Sequence, residues 1–288
     1  MTIQVWCRAT LFFGIFIAFP AFAQQRPYSP FPANDGYFSN SNWFSRVDKI
    51  QSEQPHWITP LATVTPRLEE EVRYDIDWLT ANNGITTENF GGGKGLELIP
   101  FQNVEVLLNP PPYIAHNNPA IPDGFGDFSF TVKYRLLSAN EQHGNYILTA
   151  FFGASFPTGS HTNGAKAAIL TPTIAYGKGF GIFDAQGTFG VSFPASDTNI
   201  LGRTIAWNNT AQIHILKKVW PEIEANSTFF EGGKNNGLKQ AFITPGLMIG
   251  KIHIAKRIGL TFGGGFQIAV THFHLNNHNV ILSIRFPF

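Results

Sequence analysis

The chain has 288 residues, a formal net charge of +1, only 14% charged residues and a single cysteine. Balanced charge offers no attraction for nucleic acid, and one cysteine excludes a disulfide-stapled domain. Mean hydropathy is −0.03 despite 28 phenylalanines, and no internal stretch approaches the ~18 continuous apolar residues of a helical membrane span.

Residues 1–23 read as a signal peptide. Arg8 supplies a positive charge, Leu11 to Phe19 an apolar run, and Ala21-Phe22-Ala23 a small-x-small cleavage site. The apolar run is too short to span, and polar Gln24 and Gln25 follow it. Removing this leader removes Cys7 and Arg8, so the mature chain has no thiol chemistry and no net charge. Residues 24–54 carry Pro27, Pro30, Pro32 and scattered aromatics, which predict an irregular periplasmic lead-in, with a turn or two of helix over 42–50.

From residue 55 onward, period-two segments recur between turn residues. Val72, Tyr74, Ile76 and Trp78 alternate with Arg73, Asp75 and Asp77. Phe128, Phe130, Val132, Tyr134 and Leu136 alternate with Asp127, Ser129, Thr131, Lys133 and Arg135. A soluble sandwich also alternates, but it does not set buried charges opposite nearly uniform Phe, Tyr, Leu and Ile. Such segments suit strands with one face in lipid and the other in a polar lumen, which also explains the neutral mean hydropathy. The predicted strands are 55–65, 67–79, 95–107, 126–137, 145–156, 167–177, 181–193, 203–216, 219–230, 241–252, 257–271 and 278–288. The fold class is therefore all-β: a transmembrane antiparallel up-and-down barrel of about twelve strands over residues 55–288.

The connections alternate in length, as outer-membrane loops and turns do. Those at 107–126, 156–167, 193–203, 231–241 and 271–278 are long, and those near 138–144, 178–180, 217–218 and 253–256 are short. The 80–94 stretch breaks the rule, because it becomes a long connection on the short side. In the last strand, Val280, Leu282, Ile284, Phe286 and Phe288 share one face, and Asn279, Ser283 and Arg285 the other. A final strand ending on Phe288 resembles the closing strand of bacterial outer-membrane barrels, where that residue serves as an assembly signal. The implied partners are outer-membrane lipid and the barrel-assembly machinery.

With the apolar face outward, the lumen-lining set is Arg73, Asp75, Asp77, Glu97, Glu105, Asp127, Lys133, Arg135, Asp184, His214, Glu222, Glu224 and Arg285. These charges either brace the wall as ion pairs or screen passing solutes, and the two readings are compatible. Other motifs carry less. His272, His274 and His278 form an H-x-H-x3-H cluster, but no carboxylate completes a metal set. The Gly91–Gly93 and Gly263–Gly265 runs are not phosphate loops. Ser192, His214 and Asp184 share no local motif, and their parity is inward. No catalytic residue, metal or cofactor is expected.

Several stretches have a familiar order: His56-Trp57-x-Thr59-Pro60-Leu61, Gly126-Asp127-Phe128-x-Phe130-x-Val132-Lys133-Tyr134, Phe156-Pro157-Thr158-Gly159 and Thr244-Pro245-Gly246-Leu247. Together they resemble a family of outer-membrane barrels named for the meta-cleavage pathway of phenol degradation. That resemblance implies a barrel in the bacterial outer membrane and passage of small organic compounds, with no catalytic residues to carry over. Two functions follow as expectations. One is a passive channel or transporter for small, aromatic or apolar solutes, constricted by the lumen charges and the Pro-rich 107–126 loop. The other is a non-conducting barrel that serves as an envelope scaffold or binds a partner.

Overall fold

A computed structural model describes residues 40–288 apart from Gly93. The signal-peptide and lead-in readings over 1–39 lie outside the described residues. The first element is α1 (Asn40–Ser52), longer than the turn or two expected. The strands follow in chain order: β1 (Glu71–Ala81), β2 (Thr86–Phe90), β3 (Leu96–Phe101), β4 (Val104–Asn109), β5 (Tyr113–His116), β6 (Gly124–Phe125), β7 (Ser129–Ala139), β8 (Tyr146–Ser155), β9 (Ile169–Phe180) and β10 (Phe183–Pro194). After the single-turn α2 (Thr198–Leu201) come β11 (Arg203–Ile213), β12 (Val219–Glu231), β13 (Lys239–His253), β14 (Gly259–Ala269) and β15 (Asn276–Pro287).

Every neighbouring pair is antiparallel, and β15 returns to β1 in register from Glu71↔Pro287 to Leu79↔Asn279, which closes the cylinder. Six of the fifteen strands are halves of three interrupted ones. β2 and β3 both pair with β1, at residues 76–80 and 71–72 respectively. β4 and β5 form the next wall strand, and β6 and β7 the one after. The closed barrel thus has twelve strands. The breaks fall side by side at 91–95, 110–112 and 126–128. Pro110, Pro111 and Pro112 have no N–H to give to the ladder, so strand pairing stops there and resumes beyond.

The wall faces lipid as alternation demands. Val72, Tyr74, Tyr134, Leu136, Phe152, Ile174, Phe189, Ile223, Leu247, Phe262, Leu282 and Ile284 all project outward and are exposed. On a water-soluble protein so large an apolar surface would drive association; in hydrocarbon it is solvated. No described helix is long and apolar enough to cross a membrane.

Three expectations need correction. Residues 55–65 form no strand, because Pro55 and Pro60 interrupt the donors and the segment's polar groups bond to side chains inside the barrel. The expected 95–107 strand is the β3–β4 hairpin, which turns at 102–103 with Asn103 in the left-handed region (φ 69°). The count of twelve survives because one strand was lost and one gained. Removing 55–65 also reverses the direction of everything up to the hairpin. The 80–94 stretch then contains β2 and turns at the end opposite the chain's C-terminus, with the long loops, so it is no exception. The third correction concerns 107–126, which contains β5 and β6 and is less a loop than a continued wall.

Candidate functional site: the filled lumen

We call the end holding α1 and the C-terminal residues the near end. Residues 53–70 enter the barrel there, climb to Ala62 and Thr63, and return to β1. The two limbs of this loop are tied at its base. Gln54 donates to the Leu68 carbonyl (2.8 Å) and accepts from the Leu68 amide (2.9 Å), and Arg67 donates to the Trp57 carbonyl. Phe288 N donates to the Glu70 carbonyl (3.0 Å), which holds the returning limb to the wall.

A backbone without strand partners must find its hydrogen bonds elsewhere, and here the inward wall residues supply them. Glu222 accepts from Leu61 N (3.0 Å), and Glu224 accepts from Ala62 N (2.7 Å) and Thr63 N (2.6 Å). Arg285 donates to the carbonyls of Thr59 (2.5 Å) and Pro60 (2.8 Å), and Arg73 to those of Pro60 and Leu61. Gln186 donates to Ile58 O (3.0 Å), Thr149 to Pro66 O (2.6 Å) and Lys133 to Arg67 O (3.2 Å). Apolar packing adds a cluster of Trp57, Ile58 and Leu61 against Ile147, Trp220, Met248 and Ile281. A second cluster, of Val47, Ile50, Leu68 and Ile99, seats α1 on the near end.

The charged residues named from sequence are thereby accounted for individually. Lys133 is fully buried and lies 2.8 Å from Glu105 and 3.9 Å from Glu97; Glu105 also accepts from Glu69 N (2.6 Å). Arg73 pairs with Asp75 (2.6 Å), and Asp77 accepts from Asn279 (3.0 Å). Arg135 reaches Ile50 O, Asn103 and Glu53, anchoring the helix end rather than the lumen. Asp184 accepts from Gln186 (3.1 Å). Asp127 sits at one of the strand breaks, where its carboxylate accepts from Gly159 N (2.8 Å) and Ala165 N (2.7 Å) and shapes the 156–168 loop. His214 lies in the near-end turn, stacked on Trp220 with ring centres 4.0 Å apart. Sequence reasoning missed Arg67, Glu69 and the uncharged Gln186, Gln212 and Thr149. The last three were legible from inward parity, though not from charge.

Toward the far end, past Thr63, the lumen turns from charge to neutral amides and hydroxyls. Asn226 donates to Thr63 (3.2 Å), Asn208 to Thr188 (3.1 Å) and Gln267 to Asn226 (3.4 Å). This half is only partly buried, whereas the near half is filled. At the near mouth His56 donates through its backbone N–H to Glu141 (2.6 Å), and its ring meets the same carboxylate at 2.8 Å. Burial alone would raise the Glu141 carboxyl, but these hydrogen bonds outweigh it and hold it below its ordinary value. The three outer histidines do not converge: His274 bonds Thr271 O and Asn277, and His278 packs on Phe266. Among the described residues no metal-competent cluster forms.

A closed antiparallel barrel with a lipid-facing belt and a polar interior is the porin-like architecture of a transmembrane β-barrel. Among solved structures it is similar to the COG4313 outer membrane channel from Pseudomonas putida F1, at 14% identity and TM-score 0.54, over 81% of this chain and all of that one. The NanC porin also aligns, at 11% identity and TM-score 0.48 over 75% of this chain and 98% of that one, too distant to argue from. No family model and no curated protein matches the sequence. The likeness to the Pseudomonas putida channel is one of fold.

Proposed function

We propose that the protein is a passive channel for small solutes, aromatic or apolar ones among them, and that the 53–70 loop is its gate. The observation that carries this reading is how the loop is held. Its tip has no strand partner and hangs on hydrogen bonds from wall side chains to its backbone. Such bonds exchange for water at a net cost of only about 0.5–1.5 kcal/mol each, or about 1.5–3 when charged. Because both limbs lie at the near end, the loop can withdraw without unzipping a strand. The inward charges then have two roles in succession, gripping the loop when closed and lining the path when open.

The test is single-channel conductance in a planar bilayer, on protein whose folded barrel is confirmed by heat-dependent gel mobility. The unaltered protein should show rare or small steps, and Glu222→Gln/Glu224→Gln more frequent or larger ones. If a folded double variant and the unaltered protein are equally silent toward ions and small solutes, the channel reading fails. The filled near half would then favour a non-conducting scaffold.

A further inference from the structure

Near the mouth, between loop and wall, is a cavity of about 160 Å³. Its lining is His56, Trp57 and Ile58 from the loop, His214 and Lys217 from the 214–218 turn, Trp220 from β12, and Gly250 and Lys251 from β13. We propose that this cavity binds a small planar aromatic anion, of the single-ring carboxylate class. The site does not depend on whether the lumen conducts.

Size sets the first limit, since a cavity of about 150 Å³ takes one benzene ring. Composition sets the second. Trp57 and Trp220 are 4% and 7% exposed, so neither belongs to a lipid-facing aromatic belt, whose rings point outward. Trp220 already holds one flat partner, the His214 imidazole, at 4.0 Å and 4° between planes. The indoles thus offer apolar area and ring faces or edges to another flat group. Charge sets the third. Two lysines line the cavity and no carboxylate does. Glu141 outside it is engaged by His56, and Glu69, the carboxylate acting most on Lys251, is paired with Arg67 at 2.8 Å. Lys251, itself exposed at the mouth, lines the cavity from a bulge, where Gly250 and Lys251 intervene between the Ile249↔Phe262 and Ile252↔Leu260 pairs. Among the described residues neither lysine side chain makes a hydrogen bond or ion pair. The His214 Nε2 is buried and equally unpartnered, an orphan that a bound carboxylate would satisfy.

The experiment titrates the folded full-length barrel with benzoate, read by tryptophan fluorescence and ligand-observed NMR. Benzyl alcohol, cyclohexanecarboxylate and acetate serve as comparison probes. Benzoate should saturate and bind at least tenfold more tightly than acetate or cyclohexanecarboxylate. Lys217→Gln/Lys251→Gln should weaken benzoate tenfold or more and leave benzyl alcohol unchanged. If the double variant does not fold, Lys217→Gln alone, at an exposed turn, should still weaken benzoate severalfold. Non-saturating benzoate signals, equal binding of acetate, or indifference to the lysine substitutions would overturn the proposal. Each of these outcomes is read without any current measurement, so it is separate from the fate of the channel reading.

Discussion

Glu224→Gln isolates the grip on the loop. Glu224 is fully buried, and its two oxygens separately accept Ala62 N and Thr63 N, with Thr210 Oγ1 adding a third donor at 3.2 Å. An amide keeps one acceptor oxygen but turns the other into an NH₂ group facing an N–H. One charge-assisted bond is lost, about 1.5–3 kcal/mol, and a buried donor is left unpaired, about 1–3 kcal/mol more. Relief of repulsion with Glu222, whose carboxylate feels Glu224, returns part of this. A net weakening of docking by about 3 kcal/mol raises the withdrawn population about a hundredfold, at 1.4 kcal/mol per factor of ten. The assay is native-state amide hydrogen exchange resolved to peptides. Residues 58–66 should exchange about a hundredfold faster in the variant, and β8–β12 at the rate of the unaltered protein. Unchanged exchange in 58–66, or equal acceleration along the whole wall, would refute a gripped, separately mobile loop.

Three further outcomes are expected. Lys133→Met leaves Glu105 and Glu97 without their buried cation and should cost about 3–5 kcal/mol, seen as a lower denaturant midpoint for the loss of heat-dependent gel mobility; an unchanged midpoint would contradict the pairing. Gly177→Ala places a Cβ 2.5 Å from the Trp57 ring, so Trp57 must shift; its emission should move toward that of a wetter indole, and an unshifted spectrum would mean the ring has room. The Glu141 carboxyl is held below its ordinary value of 4.5 by His56, so its contribution is complete above that pH and fades as pH falls through the lower folded value. The stability difference between the unaltered protein and Glu141→Gln should therefore shrink from pH 6 to pH 3, whereas a pH-independent difference would remove the carboxylate from the account.

The wall was legible because a barrel strand writes its environment into every second residue: Tyr74 against Asp75, or Leu282 against Ser283, needs no partner to be read. The errors came where polar groups are satisfied by residues far away in sequence. Nothing in Ile58 to Pro66 announces that Glu222, Glu224 and Arg285 will replace strand neighbours, so its alternation passed for a strand. The β3–β4 turn was missed because Gln102-Asn103 lacks the glycine that usually marks a two-residue hairpin. Inward parity sets Lys133 and Glu105 on the lumen face, and both side chains are fully buried. It could not suggest that these side chains meet a folded-in segment of their own chain and not open water, because that depends on contacts such as Lys133 to the Arg67 carbonyl, 66 residues away.

For the gate proposed above, the doubling-back of residues 53–70 also bears on how quickly the barrel can reseal. A segment threaded from end to end would, once expelled, have to find a distant opening. This one is tethered on both sides of the same mouth, by α1 and by β1, so after every withdrawal it searches a volume only tens of ångströms across. Tethers of this kind hold a ligand at an effective concentration on the order of millimolar. Resealing is therefore a first-order event within each molecule, indifferent to protein density in the membrane. A detached peptide of the same sequence, supplied at micromolar levels, would lose the competition for the vacated space.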